Sequence, residues 1–121
     1  MTFNDLKYKV LSWADDKDLL HAENTDKQFM KFIEEVFEFN VEMVLGLNYI
    51  KQTEYIGTSI DQNLLKIRNL KLEMGDIFVT LIILCEQIGI DPVECLSMAY
   101  EKIKGRSGKT INGTFVKESD L

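Results

Sequence analysis

Thr25-Asp26-Lys27-Gln28-Phe29-Met30-Lys31-Phe32-Ile33-Glu34-Glu35-Val36-Phe37-Glu38-Phe39-Asn40-Val41-Glu42-Met43-Val44-Leu45 is the stretch on which the fold turns. At about 100° per residue, Lys31, Glu35, Glu38 and Glu42 fall in one narrow arc, at i, i+4, i+7 and i+11. Phe29, Phe32, Ile33, Val36, Phe37, Phe39, Met43 and Val44 fill a broad opposite arc, and Glu34 sits beside the acids. This is the period of a helix with one apolar face. Thr25-Asp26-Lys27-Gln28 reads as a capping box that opens it, and the pattern runs to about Leu45. A carboxylate column lies along its polar face.

Three further helices surround this one in sequence. Phe3, Leu6, Val10 and Trp13 recur at helical spacing and place a first helix from about Thr2 to Asp18. A third opens at Ser59-Ile60-Asp61-Gln62, again a capping pattern, and runs to about Gln87, where Gly89 can stop it. A fourth opens with Asp91-Pro92-Val93-Glu94, an N-cap with proline at N1, and Val93, Leu96, Tyr100 and Ile103 form its expected inner face. From Gly105 the chain reads as a loop, with Asn112-Gly113 between Thr110-Ile111 and Thr114-Phe115-Val116 as a small hairpin. Four helices in a short chain predict an all-α, four-helix bundle-like fold in a single domain, residues 1–121. Ile77 to Cys85 is apolar nearly all round, so a second chain is expected to cover part of it, in a homodimer or homotetramer.

The chain has 121 residues, 45% hydrophobic and 28% charged, which predicts a globular protein with a core of its own. Its net charge of -6 argues against a nucleic-acid-binding module, which needs a basic face. The opening Met1-Thr2-Phe3-Asn4-Asp5-Leu6-Lys7-Tyr8-Lys9-Val10 has no apolar targeting core, and no run is long enough to span a bilayer. Cys85 and Cys95 match no metal or redox spacing and read as reduced thiols, as expected of a cytoplasmic protein.

The third helix gives the acids of the second a chemical meaning. Glu73 and Asp76 stand at i, i+3 beside the most apolar stretch of the chain. Burying unpaired acids is expensive, so bases or a cation must neutralise them. Lys66, Arg68 and Lys71 are near in sequence, but none lies one turn from both acids on their face. Glu35-x-x-Glu38 on one helix facing Glu73-x-x-Asp76 on the next supplies four hard oxygen ligands. That set suits Mg²⁺, with Mn²⁺ as the alternative, and such sites commonly hold substrate phosphates as well.

Lys31-Phe32-Ile33-Glu34-Glu35-Val36-Phe37-Glu38, followed by Glu73-Met74-Gly75-Asp76, resembles the EExxE…ExxD signature of the MazG-like all-α nucleoside triphosphate pyrophosphohydrolases. Leu11-Ser12-Trp13-Ala14 and Gln28-x-x-Lys31 are similar to the segment ahead of that signature. Ile90-Asp91-Pro92-Val93-Glu94-Cys95, Lys102-Ile103-Lys104-Gly105-Arg106 and Asn112 to Glu118 are similar to the helix and tail that follow it in short phage and bacterial members. The resemblance implies Mg²⁺-dependent hydrolysis of a nucleoside or deoxynucleoside triphosphate to the monophosphate and pyrophosphate. It implies Glu35, Glu38, Glu73 and Asp76 as metal ligands, and Glu34, Glu35 and Glu38 as the catalytic acids. The longer gap between Glu38 and Glu73, with Tyr49 and Tyr55 in the stretch 46–59, departs from the family pattern. It leaves room for a pyrimidine-specific (dUTP or dCTP) enzyme. A phosphoribosyl-ATP pyrophosphatase on the same scaffold and a non-catalytic helical metal- or partner-binding protein are the alternative readings.

Lys31 is either a phosphate contact or the i+4 partner of Glu35. Trp13 is either a base-stacking platform or a core residue in phase with Phe3, Leu6 and Val10. Lys104, Arg106 and Lys109, with Asn112, form a basic tail that either complements a helix end or meets substrate phosphate. Gly108-Lys109-Thr110 is not a phosphate-binding loop, because Ile103 stands where that motif needs glycine. His21 has no nucleophilic partner at a telling spacing and reads as a loop residue.

Overall fold

Thr2 accepts a hydrogen bond from the Asp5 backbone N–H, and Asp5 returns one from the Thr2 N–H, closing a capping box at the start of α1 (Phe3–Asp16). The structure is a computed structural model; it describes the backbone of residues 1–56 and 60–121 and the side chains of residues 1–46 and 64–121. After α1 come a 3-10 turn (Ala22–Asn24), α2 (Thr25–Ile56), α3 (Ile60–Ile88), α4 (Pro92–Ile103), a hairpin of β1 (Gly108–Ile111) and β2 (Thr114–Lys117), and a final 3-10 turn (Glu118–Asp120). The chain is thus mostly helical, with one small antiparallel sheet added. None of the described helices is long and apolar enough to cross a membrane.

The helix starts and stops follow local chemistry. Gly89, at φ 78°, ends α3 in the left-handed region that glycine enters without steric cost. Asp91 caps α4 by accepting from the Val93 N–H, and Pro92 takes the position whose N–H would be unpaired anyway. Asn112 and Gly113, at φ 52° and 79°, make the two-residue turn between β1 and β2, as their sequence predicts. Two expectations fail. Gln28 does not return to Thr25; its amide instead donates to the Thr80 carbonyl on α3, while the Thr25 hydroxyl donates to Ala22. Helix α2 does not stop near Leu45 but continues to Ile56: Gly46 keeps a helical backbone there instead of the positive φ of a capping glycine, and no proline follows it in α2. The capping pattern at Ser59, and the side chains of Tyr49 and Tyr55, lie outside the described residues.

The described residues form two compact units, Met1–Gly89 and Ile90–Leu121, so the four helices are distributed three and one. In the first unit α2 and α3 are the main packing pair. Gln28 meets Thr80, and a Cβ at Gly46 would lie 3.9 Å from Leu70. Rising numbers on α2 therefore meet falling numbers on α3, and the two helices run antiparallel. Among the described residues, Ala14 on α1 and Ile82, Ile83 and Cys85 on α3 are the buried apolar side chains, so the Ile77–Cys85 segment is in part covered by its own chain. Phe3 meets Phe78 edge-on at 6.3 Å.

Much apolar surface stays open. Trp13 is 50% exposed rather than packed away, and Phe29, Met30, Ile33, Val36 and Phe37 on α2 are also exposed. In the second unit the expected inner face of α4 is not buried: Leu96, Tyr100 and Ile103 are all exposed. A unit of that size offers too few residues to bury a whole helix stripe.

Candidate metal centre

Two helices bring acids together because their registers match. Glu35 on α2 stands seven residues beyond Gln28, and Asp76 and Glu73 on α3 stand four and seven residues before Thr80. In an antiparallel pair joined at Gln28 and Thr80, those positions face each other within about two turns. Oxygens of Glu35, Glu73 and Asp76 all lie within 4.8 Å of one another. Glu35 is buried, Glu73 half-buried and Asp76 exposed, so the cluster opens to solvent at one side.

Its electrostatics are unbalanced. Lys31 Nζ sits 3.1 Å from Glu35 Oε1 and 3.6 Å from Glu34 Oε2, and the Glu35 carboxylate holds the Lys31 ammonium above its ordinary value. That cation addresses one oxygen of Glu35 only. Glu35 Oε2 and Glu73 Oε2 are buried with no hydrogen-bond partner. Two like charges about 5 Å apart repel by about 3 kcal/mol at an effective dielectric near 20. Buried acceptor oxygens without donors, close enough to share one ion, fit a hard divalent cation: it supplies charge and needs no hydrogen. Oxygen donors with no His or Cys among them suit a hard divalent cation better than zinc.

The other residues singled out from sequence fall in three places. Glu38 lies outside the set of converging oxygens and is exposed, yet the neighbouring Glu35 charge pushes its carboxyl above the usual range, with Glu34 and Glu73 adding to the effect. Glu34, with Lys31 and Phe37, lines a separate hollow of about 540 Å³ on the flank of α2. Trp13 lines a cleft of about 380 Å³ together with Gln28, Lys31, Glu35, Asp76, Thr80 and Ile83, so its open ring faces the same space as two of the acids.

Lys104, Arg106, Lys109 and Asn112 belong to the second unit. There Lys104 pairs with Glu101 and stands 6.0 Å from the Tyr100 ring centroid. Arg106 is half-buried, and Lys109 is exposed on β1 opposite Val116. Asn112 holds the hairpin turn that the Asn112-Gly113 pair predicts. His21 pairs with Asp18, which raises its pKa, with Glu23 contributing further. Sequence reading passed over Thr80 and Gln87, two polar side chains buried on the most apolar helix. Their signal was available: a threonine and a glutamine on the inward face of an apolar run need partners.

The chain matches no family model, no curated protein and no solved structure.

Proposed function

We propose that this protein is a MazG-like, divalent-cation-dependent hydrolase that splits a nucleoside or deoxynucleoside triphosphate into the monophosphate and pyrophosphate. The observation that carries this reading is the convergence of Glu35, Glu73 and Asp76, with two of their oxygens buried and unpartnered, at the wall of a cleft large enough for a small ligand. Glu35, Glu73 and Asp76 are the residues that would hold Mg²⁺. A bound ion would supply charge neutralisation for the phosphate chain and a more acidic water.

The chain's own residues divide the remaining work. Lys31 fixes one oxygen of Glu35 and leaves the other to the cation. Glu38, with its proton affinity raised by Glu35, is suited to take a proton from the attacking water. Glu34 orients Lys31 from the other side. A net charge of -6 repels a polyanion, so triphosphate binding depends on the cation. The open apolar face of α2 supports assembly with a second copy of the chain.

The test is a panel of nucleoside triphosphates assayed with Mg²⁺ or Mn²⁺. At least one should yield pyrophosphate, and EDTA should abolish the release. Orthophosphate as the sole phosphate product would overturn the assignment. No turnover, with Mg²⁺ still raising the melting temperature, would leave a non-catalytic metal-binding protein.

A further inference from the structure

Glu73, Asp76, Thr80, Ile83 and Gln87 follow on α3 at i, i+3, i+7, i+10 and i+14, the heptad spacing of a seam between packed helices. On α2, Gln28 and Glu35 are also one heptad apart. The antiparallel pair sets Gln28 at Thr80. One heptad onward along α2 and one heptad back along α3, the next rung is Glu35 with Glu73, about 10 Å further along the axes. Glu35 Oε2 and Glu73 Oε2, both buried without a donor, belong to that rung. What holds Gln28 at Thr80 therefore also holds these two carboxylates level with each other.

That contact specifies an alignment. Gln28 Nε2 donates to the Thr80 carbonyl at 3.2 Å, in a half-buried position. The acceptor is a backbone atom, so no change of rotamer on α3 can absorb a slip. Thr80 is only 6% exposed, and its hydroxyl donates back to the Ile77 carbonyl at 2.8 Å, so it does not compete for the Gln28 amide. Val79 and Ile83, which line the cleft with Gln28 and Thr80, are apolar and carry no such directional demand. A polar residue in a largely apolar seam fixes register, because other alignments leave polar groups buried and unpaired. A slip of a single residue would carry Glu35 about 1.5 Å past Glu73.

Resting on the proposed cation site, we propose that Gln28 is a positioning residue for the bound ion. By fixing α2 against α3 at Thr80, it sets the separation of the Glu35 and Glu73 carboxylates and so tunes which divalent ion they accept. Mg²⁺ demands near-ideal octahedral geometry with short bonds of about 2.0–2.1 Å, whereas Ca²⁺ takes more oxygens at longer range in a flexible shell. Misplaced carboxylates therefore cost Mg²⁺ more than Ca²⁺. Loss of the Gln28 amide changes the ratio of the two affinities. A residue with a merely structural role lowers stability and leaves that ratio where it was.

Calorimetric titration of the metal-free chain with MgCl₂ and with CaCl₂, well below its melting temperature, reads that ratio. Gln28→Met keeps the length of the side chain and removes the donor. Its Mg²⁺ affinity should fall roughly tenfold or more, while its Ca²⁺ affinity stays within about threefold of wild type. Gln28→Asn, whose amide falls one methylene short of Thr80, should show the same signature, and it serves if the first variant does not fold. A further measurement needs no substitution. Coupling is reciprocal, so if the Gln28 bond favours the ion, the ion favours the bond. In wild type, Mg²⁺ should slow hydrogen exchange of the Gln28 side-chain amide, read by NMR. Equal loss of Mg²⁺ and Ca²⁺ affinity would overturn the inference, and so would no loss of either, which would leave register to apolar packing. A Gln28 amide that exchanges as fast as free glutamine, with and without Mg²⁺, would overturn it as well. Each of these outcomes spares the cation site, because wild type still binds. Wild type that binds neither ion sinks the site and this inference together.

Discussion

Glu35 and Lys104 each have an ion-pair partner one helical turn away, Lys31 for the one and Glu101 for the other. In the second unit both partners are open, with side chains 51% and 60% exposed. Water solvates each charge there, and the pair is worth well under about 1 kcal/mol. In the first unit the Glu35 side chain is 10% exposed, and the fold has closed over its second oxygen. The same local spacing therefore gives a solvated decoration in one region and a buried, half-satisfied carboxylate in the other. Burial decides whether a charge still needs a partner, and only α2 against α3 provides that burial.

The sharpest way to break this contrast is to remove an acid from the converging set. Asp76→Asn should abolish turnover while keeping the shape of the side chain. In wild type, Mg²⁺ at about a hundredfold over its Kd should stabilise by about 2.7 kcal/mol, a melting shift on the order of 10 °C. Asp76→Asn should lose most of that shift. Its metal-free form should be at least as stable as wild type, because a repelling charge has gone. Thermal melts with and without Mg²⁺ check both points, and an undiminished shift in the variant would remove Asp76 from the site.

A second substitution probes the other unit. Gly113 sits at φ 79°, where an L side chain costs about 1–2 kcal/mol. Gly113→Ala should loosen the hairpin, seen as faster amide exchange at β1 and β2, and leave the Mg²⁺-induced melting shift unchanged. A lost shift would tie the hairpin to the metal centre.

The charge of the acid cluster can also be titrated. Glu38 has a folded pKa raised above its unfolded value, so its ionisation in the native state is disfavoured. The associated stability is present at low pH and lost as pH rises through the folded value. Metal-free wild type should therefore gain stability relative to Glu38→Gln as pH falls from 7 toward about 5. A constant difference between the two melting curves would mean that Glu38 does not feel Glu35.

Arg106→Ala separates the two uses of the basic tail: a several-fold rise in the KM for the triphosphate would mean that Arg106 meets substrate phosphate, and an unchanged KM would leave it as helix-end charge. His21 should give the smallest effect. Asp18 raises its pKa, so its contribution is complete below about pH 6.5 and fades as pH rises through the folded value. A His21→Ala difference that persists undiminished at pH 9 would exclude the Asp18 pairing as its source.

The sequence by itself determined the helices and the hairpin. Apolar spacing, Thr2, Asp91-Pro92, Gly89 and Asn112-Gly113 act through neighbours within a few residues, and each such signal is complete in the local chain. It also named Glu35, Glu38, Glu73 and Asp76 as a group, of which three converge, because helical phase and an apolar surrounding are both written in the order of residues. It did not reveal that Gln28 would leave Thr25 for Thr80, that Glu38 would stay outside the converging oxygens, or that Gln87 would end with a buried, unsatisfied oxygen. Those outcomes depend on which atoms meet across two helices. Helical phase places a side chain on a face; the register of α2 against α3 decides what that face touches, and register is set by packing distributed over both helices together.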